Sequence, residues 1–278
     1  MAKTLSRQNK HWPSRIILIF AAVIAAIPLV LSFFNAFRTR EAIVREPLNL
    51  LSGLTTEGIT SAFKMMKYPQ ALMNNIIILV ISLVIMIVLG SLMGFAVSAV
   101  NSRFLNFAYI AVVLIITIPF QAIMIPIVMV LTKIGLLSTY LGASLVFAAT
   151  SMSIVVFLYT GFMRSLPKEL CEAAVVDGCG IFRTYVSIYM PLLKTVTGTI
   201  IIIRGTSVWN DLLVCMITLH NSKLQTMVYR LYSFVSNKQN NWDIVFASAF
   251  LVSIPIIIIF IFMQKSFVKG VVAGAVKG

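Results

Sequence analysis

The chain has 278 residues, of which 60% are hydrophobic and only 11% are charged, and its mean hydropathy is +1.00. This composition excludes an ordinary soluble domain and predicts an integral membrane protein. The net charge of +14 is scattered over loops and both ends, without a basic block interleaved with aromatic residues. Cations beside anionic lipid explain this charge more simply than nucleic-acid binding does.

The N-terminal region predicts a retained membrane helix. Residues 1–15 carry four cations and no acid, and a mostly apolar run occupies residues 16–37. The run exceeds about 20 residues, the length of a membrane span, and no small-residue cleavage site closes it. Residues 38–70 are mixed and polar, which predicts a loop on the far side of the membrane with a short amphipathic helix.

The next three apolar segments predict three more spans. The second span covers residues 71–100, where Gly90 and Gly94 form a small-xxx-small packing face. The third covers residues 107–131 and is expected to bend at its prolines, and the fourth covers residues 139–163. The prolines in question are Pro119 and Pro126. Such bends suit either the lining of a pathway or a kinked helix that is merely packed.

Residues 166–194 are hydrophilic and lie between two long apolar runs. They hold three of the eight acids, and charged residues avoid hydrocarbon, so this segment should lie in water on one side of the membrane. Gly178 and Gly180 are expected to end a first short helix. A second, amphipathic helix should then run from about Ile181, with apolar residues at helical spacing: Phe182, Val186 and Met190. The spacing alone leaves two interpretations, an ordinary polar loop or a surface that another protein grips.

A fifth span, residues 196–219, is the most polar, and a sixth covers residues 244–263. Arg204 and Asp211 are seven residues apart and should share one face of the fifth helix. The candidate residues of a substrate pathway are Arg204, Trp209, Asn210, Asp211 and Gln121. The alternative for the charged residues is a structural ion pair or a contact with a partner protein.

Part of the hydrophilic segment closely resembles the EAA signature (EAA…G…I.LP) of permease subunits of bacterial ATP-binding-cassette (ABC) importers. The matching residues are Glu172-Ala173-Ala174, Asp177-Gly178, Ile188, Met190 and Pro191. Met190 stands where that family usually has Leu, and Cys179 where a small Ala is common. In the family this stretch forms coupling helices that dock into a groove of the cytoplasmic ATPase. The resemblance implies such a role for Glu172, Ala173, Ala174, Asp177, Gly178, Phe182 and Pro191.

Three further matches point to the sugar-importing branch of this family. Trp209-Asn210-Asp211 looks like its WN[DE] motif, and residues 125–136 are similar to the segment that joins its third and fourth helices. The ending, GAVKG at residues 274–278, resembles the terminus of the shorter, six-helix maltose-type permeases. By resemblance the tail reaches between two ATPases, with Lys269, Gly274 and Lys277 as contacts.

The resemblance implies an all-α polytopic membrane protein of six transmembrane helices, with the type I ABC importer permease fold and cytoplasmic coupling helices. The expected layout is a cytoplasmic N-terminus (1–15), a first helix (16–37), an extracytoplasmic loop (38–70), a five-helix core (71–264) and a cytoplasmic tail (265–278). Its implied partners are a second, longer permease, two ATP-binding subunits, an extracellular binding protein, a sugar and membrane lipid. The implied location is the bacterial cell membrane.

Nothing in the sequence predicts a catalytic site. No phosphate-binding GxxxxGK[ST] loop occurs, so ATP and magnesium are expected on partner subunits and no cofactor on this chain. His11 and His220 stand alone in polar segments. The three cysteines, Cys171, Cys179 and Cys215, lack metal-site spacing and predict small-residue packing.

Other classes of membrane protein remain open at this point. A self-sufficient secondary transporter or channel explains six spans, kinked helices and buried charge, but it leaves residues 166–194 unexplained and usually contains internal repeats, which are not found. A membrane-embedded enzyme lacks paired catalytic residues in the spans. Within the importer family, a polyamine, a phosphate ester or a peptide is the alternative to a sugar.

Overall fold

The computed structural model describes residues 12–100, 102–167, 169, 174, 176, 178–236 and 241–275. These residues are mainly helical and contain no named strand, only an isolated antiparallel bridge between Arg38 and Leu54. The chain forms two compact units. One comprises residues 1–67 and 231–255, and the other comprises residues 68–230 and 256–278.

The helices follow one another with short connections. In chain order they are α1 (Trp12–Asn35), α2 (Arg40–Arg45), α3 (Glu57–Met65), α4 (Tyr68–Ala99), α5 (Arg103–Leu114), α6 (Phe120–Lys133), α7 (Tyr140–Met163), α8 (Ile181–Thr184), α9 (Met190–Leu192), α10 (Lys194–Asn210), α11 (Leu213–Thr218), α12 (Met227–Val235) and α13 (Trp242–Ala275). A π-helical turn, Tyr185–Tyr189, joins α8 to α9. Helices α2 and α3 lie in the predicted far-side loop.

Four of the described helices are long and apolar enough to cross a membrane: α1, α4, α7 and the first part of α13. Two bent pairs bring the number to as many as six. Residues 103–117 and 120–133 meet at 110°, and residues 181–192 and 194–210 meet at 69°. The protein is therefore a multi-pass helical membrane protein. Its predicted count of six spans applies if each bent pair is one span, and it stays a prediction.

The predicted third span is broken rather than gently kinked. Ile118 is extended (φ −84°, ψ 117°), as expected for a residue whose α conformation clashes with a following proline. Pro119 then precedes the first residue of α6, so the two halves diverge by 110°. Pro126 lies inside α6 and does not end that helix. The two prolines therefore act differently: one breaks the span and the other is accommodated.

Two helices differ in extent from the predicted spans. The expected continuous span at residues 196–219 ends at Asn210, because Asp211 is extended (φ −76°, ψ 132°) before α11 begins. The last span was expected to end near residue 263, whereas α13 continues to Ala275. That extension contains no proline, the residue that interrupts helices most strongly.

The closest helix pair is held together by two glycines. On α4, Gly90 and Gly94 face Val155 and Tyr159 of α7. A Cβ added to Gly94 would lie 2.8 Å from the Cβ of Tyr159 and 3.2 Å from the backbone nitrogen of Thr160. The predicted small-residue packing face is therefore confirmed, and it brings the two backbones into direct contact.

Two buried asparagines at the start of α4 hold the connection between α11 and α12. Asn74 donates from Nδ2 to the carbonyls of Lys223 and Gln225, both at 2.9 Å. Asn75 accepts the Met227 N–H at 2.9 Å through Oδ1. Because amide side chains satisfy the backbone groups of an otherwise irregular segment, this connection is part of the packed structure of the second unit.

In the first unit, a fully buried arginine organises the segment between α1 and α3. Arg38 is 0% exposed and donates from Nη1 to Asn35 Oδ1 at 2.8 Å. Its Nη2 donates to the carbonyls of Ala42 and Glu46 at 2.8 and 2.7 Å, and its Nε donates to the Ser52 carbonyl at 3.0 Å. The side chain therefore fixes α2 and residue 52 by satisfying their backbone acceptors.

We expect Arg38→Met to open this segment while leaving the membrane helices folded. The buried carbonyls would lose their donors, which costs about 3 kcal/mol in local stability. Limited proteolysis of open membrane fragments, in which both sides are accessible, should cut residues 36–55 faster. Arg40→Met is the matched control, because Arg40 is exposed and makes one long bond, 3.4 Å, to Asn241. Equal cleavage of both variants would contradict this role of Arg38.

Candidate functional site

An arginine lies near the middle of the membrane-crossing part of the second unit. Helix α10 begins at Lys194, and Arg204 follows ten residues later, about 15 Å along the helix. Its Nη2 donates to Ser151 Oγ at 2.7 Å. Ser151 is buried near the midpoint of α7, so the bond joins two membrane helices at mid-depth.

A cavity of about 270 Å³ opens beside this arginine. The start of α6, the middle of α7, the end of α10 and the start of α11 each contribute to its walls. The lining residues are Phe120, Phe147, Thr150, Arg204, Ser207, Asp211, Leu213 and Val214. The break at Pro119 places Phe120 at this depth, and the break after Asn210 places Asp211 there, so the two interrupted helices build the cavity.

The cavity is polar but balanced in charge. Asp211 accepts the Val214 N–H at 2.7 Å through Oδ1, and its charge attracts that of Arg204. Arg204 Nε is buried and has no hydrogen-bond partner among the described residues. One cation, one anion and the hydroxyls of Thr150 and Ser207 can donate to and accept from alcohol groups, and the phenylalanines offer apolar ring faces. This arrangement suits an uncharged ligand with several hydroxyls.

The structure brings together two of the five predicted pathway residues, Arg204 and Asp211. Trp209 is 3% exposed and packs in the core, where its carbonyl accepts from Asn75 Nδ2 at 3.3 Å. Asn210 is exposed and donates to the Thr206 carbonyl at 3.1 Å. Gln121 is exposed beside Phe120 and does not line the cavity. The pathway role of all five residues stays a prediction.

Sequence reasoning missed Phe120, Phe147, Thr150, Ser151 and Ser207. One signal was available, because residues 150–153 place three hydroxyl side chains in the middle of an otherwise apolar span. Polar side chains at that depth need a partner, which suggests an interior or pathway position. The two phenylalanines carry no such signal among the 19 in the chain.

The first helix of the hydrophilic segment ends as predicted, at Gly178. This residue has φ +73°, a left-handed conformation that glycine adopts readily, and the Cys179 N–H bonds to the Ala174 carbonyl at 2.8 Å. This bond pattern is the Schellman end of a helix. Glu172, Ala173 and Asp177 lie outside the described residues.

The second half of the segment is helical and amphipathic, as predicted, and it contains a π-helical turn. Its inward side includes Tyr185 and Tyr189, both 5% exposed. Their rings pack on Phe95 with centroids 5.3 and 4.9 Å away, and the Tyr185 hydroxyl lies 2.6 Å from Ser91 Oγ. The apolar residues that the spacing picked out are exposed: Phe182 (74%), Val186 (41%) and Met190 (44%). These exposed side chains are available to a partner.

For the remaining predicted site residues that it describes, the structure gives a location but no contact that suggests a role. Pro191 is exposed in α9, at the joint with α10. Lys269 and Gly274 belong to α13, and Lys277 lies outside the described residues. Within the described part of the chain, no group of three His, Cys, Asp or Glu residues could hold a metal ion. His220 is exposed, Cys215 is buried, and Cys179 is half-buried.

Broken membrane helices around a polar cavity are typical of multi-pass membrane proteins that form a pathway for a solute. Residues 86–272 match the family described as "Binding-protein-dependent transport system inner membrane component", and the chain belongs to this family. The members of this family are transport permeases rather than enzymes.

Characterised relatives cover almost the whole chain. It is 30% identical over 268 residues to the melibiose/raffinose/stachyose import permease protein MelC of Bacillus subtilis, covering 95% of this chain and 97% of that protein. It is 29% identical over 263 residues to the arabinooligosaccharides transport system permease protein AraQ of Halalkalibacterium halodurans, covering 93% and 94%.

A solved structure shares the fold. It is a chain of a bacterial ABC transporter involved in the import of the acidic polysaccharide alginate. The TM-score is 0.76 at 21% identity, and the match covers 94% of this chain and 97% of that chain. The predicted ABC importer permease fold is therefore confirmed.

Proposed function

We propose that this chain is one of two permease subunits of an ATP-driven importer and lines the pathway of a sugar or oligosaccharide delivered by an extracellular binding protein. The charge-balanced cavity at mid-membrane depth carries this proposal, since Arg204, Asp211 and the neighbouring hydroxyls match the donors and acceptors of sugar alcohols. The names of MelC and AraQ support the same substrate class. The alternative is a non-sugar solute such as a polyamine or a phosphate ester.

The proposal assigns ATP hydrolysis to partner subunits, which carry ATP and magnesium. Residues 166–191 would face the cytoplasm and dock on an ATPase, and both termini would be cytoplasmic. Exposed Phe182 is an apolar anchor for this docking, and the turn at Gly178 shapes the docking surface. Glu172, Asp177 and the tail residues Lys269, Gly274 and Lys277 are further proposed contacts. Closure of the ATPases would then rock the two permeases and alternate access to the cavity.

The test is to purify the tagged chain in mild detergent from its native membrane and to reconstitute what co-purifies. We expect a second permease and ATP-binding subunits, ATPase activity stimulated by a sugar-loaded binding protein, and ATP-dependent sugar uptake into liposomes. A chain that purifies alone and moves solute without ATP would replace this proposal with a secondary transporter. Uptake of a polyamine or a phosphate ester, but no sugar, would change the substrate class.

We expect Gly178→Leu to uncouple ATP hydrolysis from transport while the complex still assembles in the membrane. A side chain at φ +73° strains the backbone by about 1–2 kcal/mol, so the turn should change shape. The measurement is the ratio of sugar transported to ATP hydrolysed in liposomes, which should fall about tenfold.

Gly180→Leu is the matched control for this prediction. An added Cβ meets nothing within 4 Å at either glycine, but Gly180 has an ordinary φ of −68°. The control should therefore keep the normal ratio. If Gly178→Leu also keeps it, the turn has no part in coupling.

A further inference from the structure

Two polar cross-links connect α7 to α10. Arg204 bonds to Ser151 at 2.7 Å, and the hydroxyl of Thr197 lies 2.8 Å from that of Tyr159. The links are seven residues apart along α10 and eight along α7, about 10–12 Å in each helix. Helices α7 and α10 therefore run antiparallel, and we call each of the two hydrogen bonds between them a rung. One rung lies at mid-depth, and the other lies nearer the end of α10 that begins at Lys194.

A second cavity, of about 490 Å³, lies beside the second rung. Its walls come from α4, α7, the π-turn with α9, and α10. Most of the lining is apolar, and the polar side chains are Ser91, Tyr159, Lys194 and Thr197. The cavity is larger than the mid-depth cavity and has fewer polar groups for its size.

Both cavities border α10. Thr197, Ile201 and Arg204 follow each other at spacings of four and three residues, which places their side chains on a common helix face. Thr197 and Ile201 line the second cavity, and Arg204 lines the first. The Tyr159–Thr197 rung stands on the way from the first cavity to the end of α10.

We infer that the second cavity is the compartment through which the substrate leaves toward the cytoplasm, and that the Tyr159–Thr197 rung separates it from the mid-depth site. This inference rests on the proposed function. A polyhydroxyl substrate would meet more room and fewer charged partners here, so it would be held less tightly than beside Arg204. Weak binding favours release, because a pathway must bind its solute strongly enough to admit it and weakly enough to let it go.

Gly198 provides a direct test. It lines the second cavity, and a Cβ placed there meets nothing within 4 Å, so a larger side chain can enter the cavity without a clash. In liposomes containing the full complex, Gly198→Leu should reduce ATP-dependent sugar uptake at least tenfold and leave assembly and ATPase activity in place. Uptake equal to that of the wild type would overturn the inference.

Gly161→Leu is the matched control. Gly161 is exposed on α7, an added Cβ there also meets open space, and it lines neither cavity, so uptake should be unchanged. Equal loss of uptake in both variants would overturn the inference, because the loss would then not depend on filling the second cavity. Absence of sugar uptake by the wild-type complex would instead contradict the proposed function.

Chemical labelling separates an aqueous compartment from a groove filled by lipid. In a chain with its three cysteines replaced by alanine, Gly198→Cys should react with a charged, membrane-impermeant thiol reagent added from the cytoplasmic side. The transported sugar should slow this reaction during ATP turnover. A cysteine that reacts only with a lipid-soluble reagent and ignores the sugar would show a lipid-facing groove and overturn the inference.

Discussion

Replacing Arg204 by leucine is expected to raise the KM for sugar uptake about thirtyfold. The guanidinium lines the mid-depth cavity and carries five N–H donors, of which one bonds to Ser151 Oγ, so a donor of the terminal nitrogens can bond to a substrate hydroxyl. Loss of a hydrogen bond from a charged donor costs about 2 kcal/mol, which corresponds to roughly thirtyfold in affinity. Uptake kinetics in liposomes, with basal ATPase activity measured in parallel, give the result.

Two controls distinguish substrate contact from a purely structural ion pair. Arg164→Leu removes an exposed arginine that bonds to Asn106 at 3.1 Å, and it should leave the KM unchanged. Asp211→Asn should raise the KM if the carboxylate accepts from the sugar. If Arg204→Leu and Asp211→Asn instead lower the yield of folded complex equally while the KM stays normal, the pair is structural.

Gly94→Leu is expected to destabilise the packing of α4 against α7. Its side chain would enter the space held by Tyr159 and the backbone of Thr160, neither of which can move without separating α4 from α7. Overpacking of this kind costs about 3 kcal/mol, so the apparent melting temperature should fall by about 10 °C.

Thermal aggregation of the detergent-purified complex, followed by size-exclusion chromatography, measures this effect. Gly161→Leu introduces the same side chain on α7 where no atom lies within 4 Å of the added Cβ, and it should melt like the wild type. A normal melting temperature for Gly94→Leu would mean that the α4–α7 contact tolerates separation.

Hydropathy and local steric rules were sufficient for much of the fold. Long apolar runs gave the helices α1, α4 and α7, because hydrocarbon admits few other structures. The spacing of Gly90 and Gly94 predicted a close helix contact, and Gly178 predicted a helix end. Each of these predictions depends only on a single residue type or on the spacing of residues along the chain.

Tertiary contacts decided what the sequence left open. The apolar spacing of residues 181–192 did not show which side chains face inward, and it is the Tyr185–Ser91 bond and the Phe95 contacts that hold Tyr185 and Tyr189 there. The cavity at Arg204 depends on two helix breaks in different spans, and no local pattern shows that they meet. The fully buried Arg38 resembled an ordinary loop cation, because its acceptors are backbone carbonyls that carry no sequence signal.

The bonds from Asn74 and Asn75 to the connection between α11 and α12 have a practical consequence for labelling the protein. By length and polarity, residues 219–227 look like a suitable place to insert an epitope or a fluorophore, since surface connections usually accept added residues. Here the carbonyls of Lys223 and Gln225 are each held to one side chain of α4. An inserted sequence would have to pull them away, so this connection is a poor attachment point, despite its exposed Asn221 and Ser222.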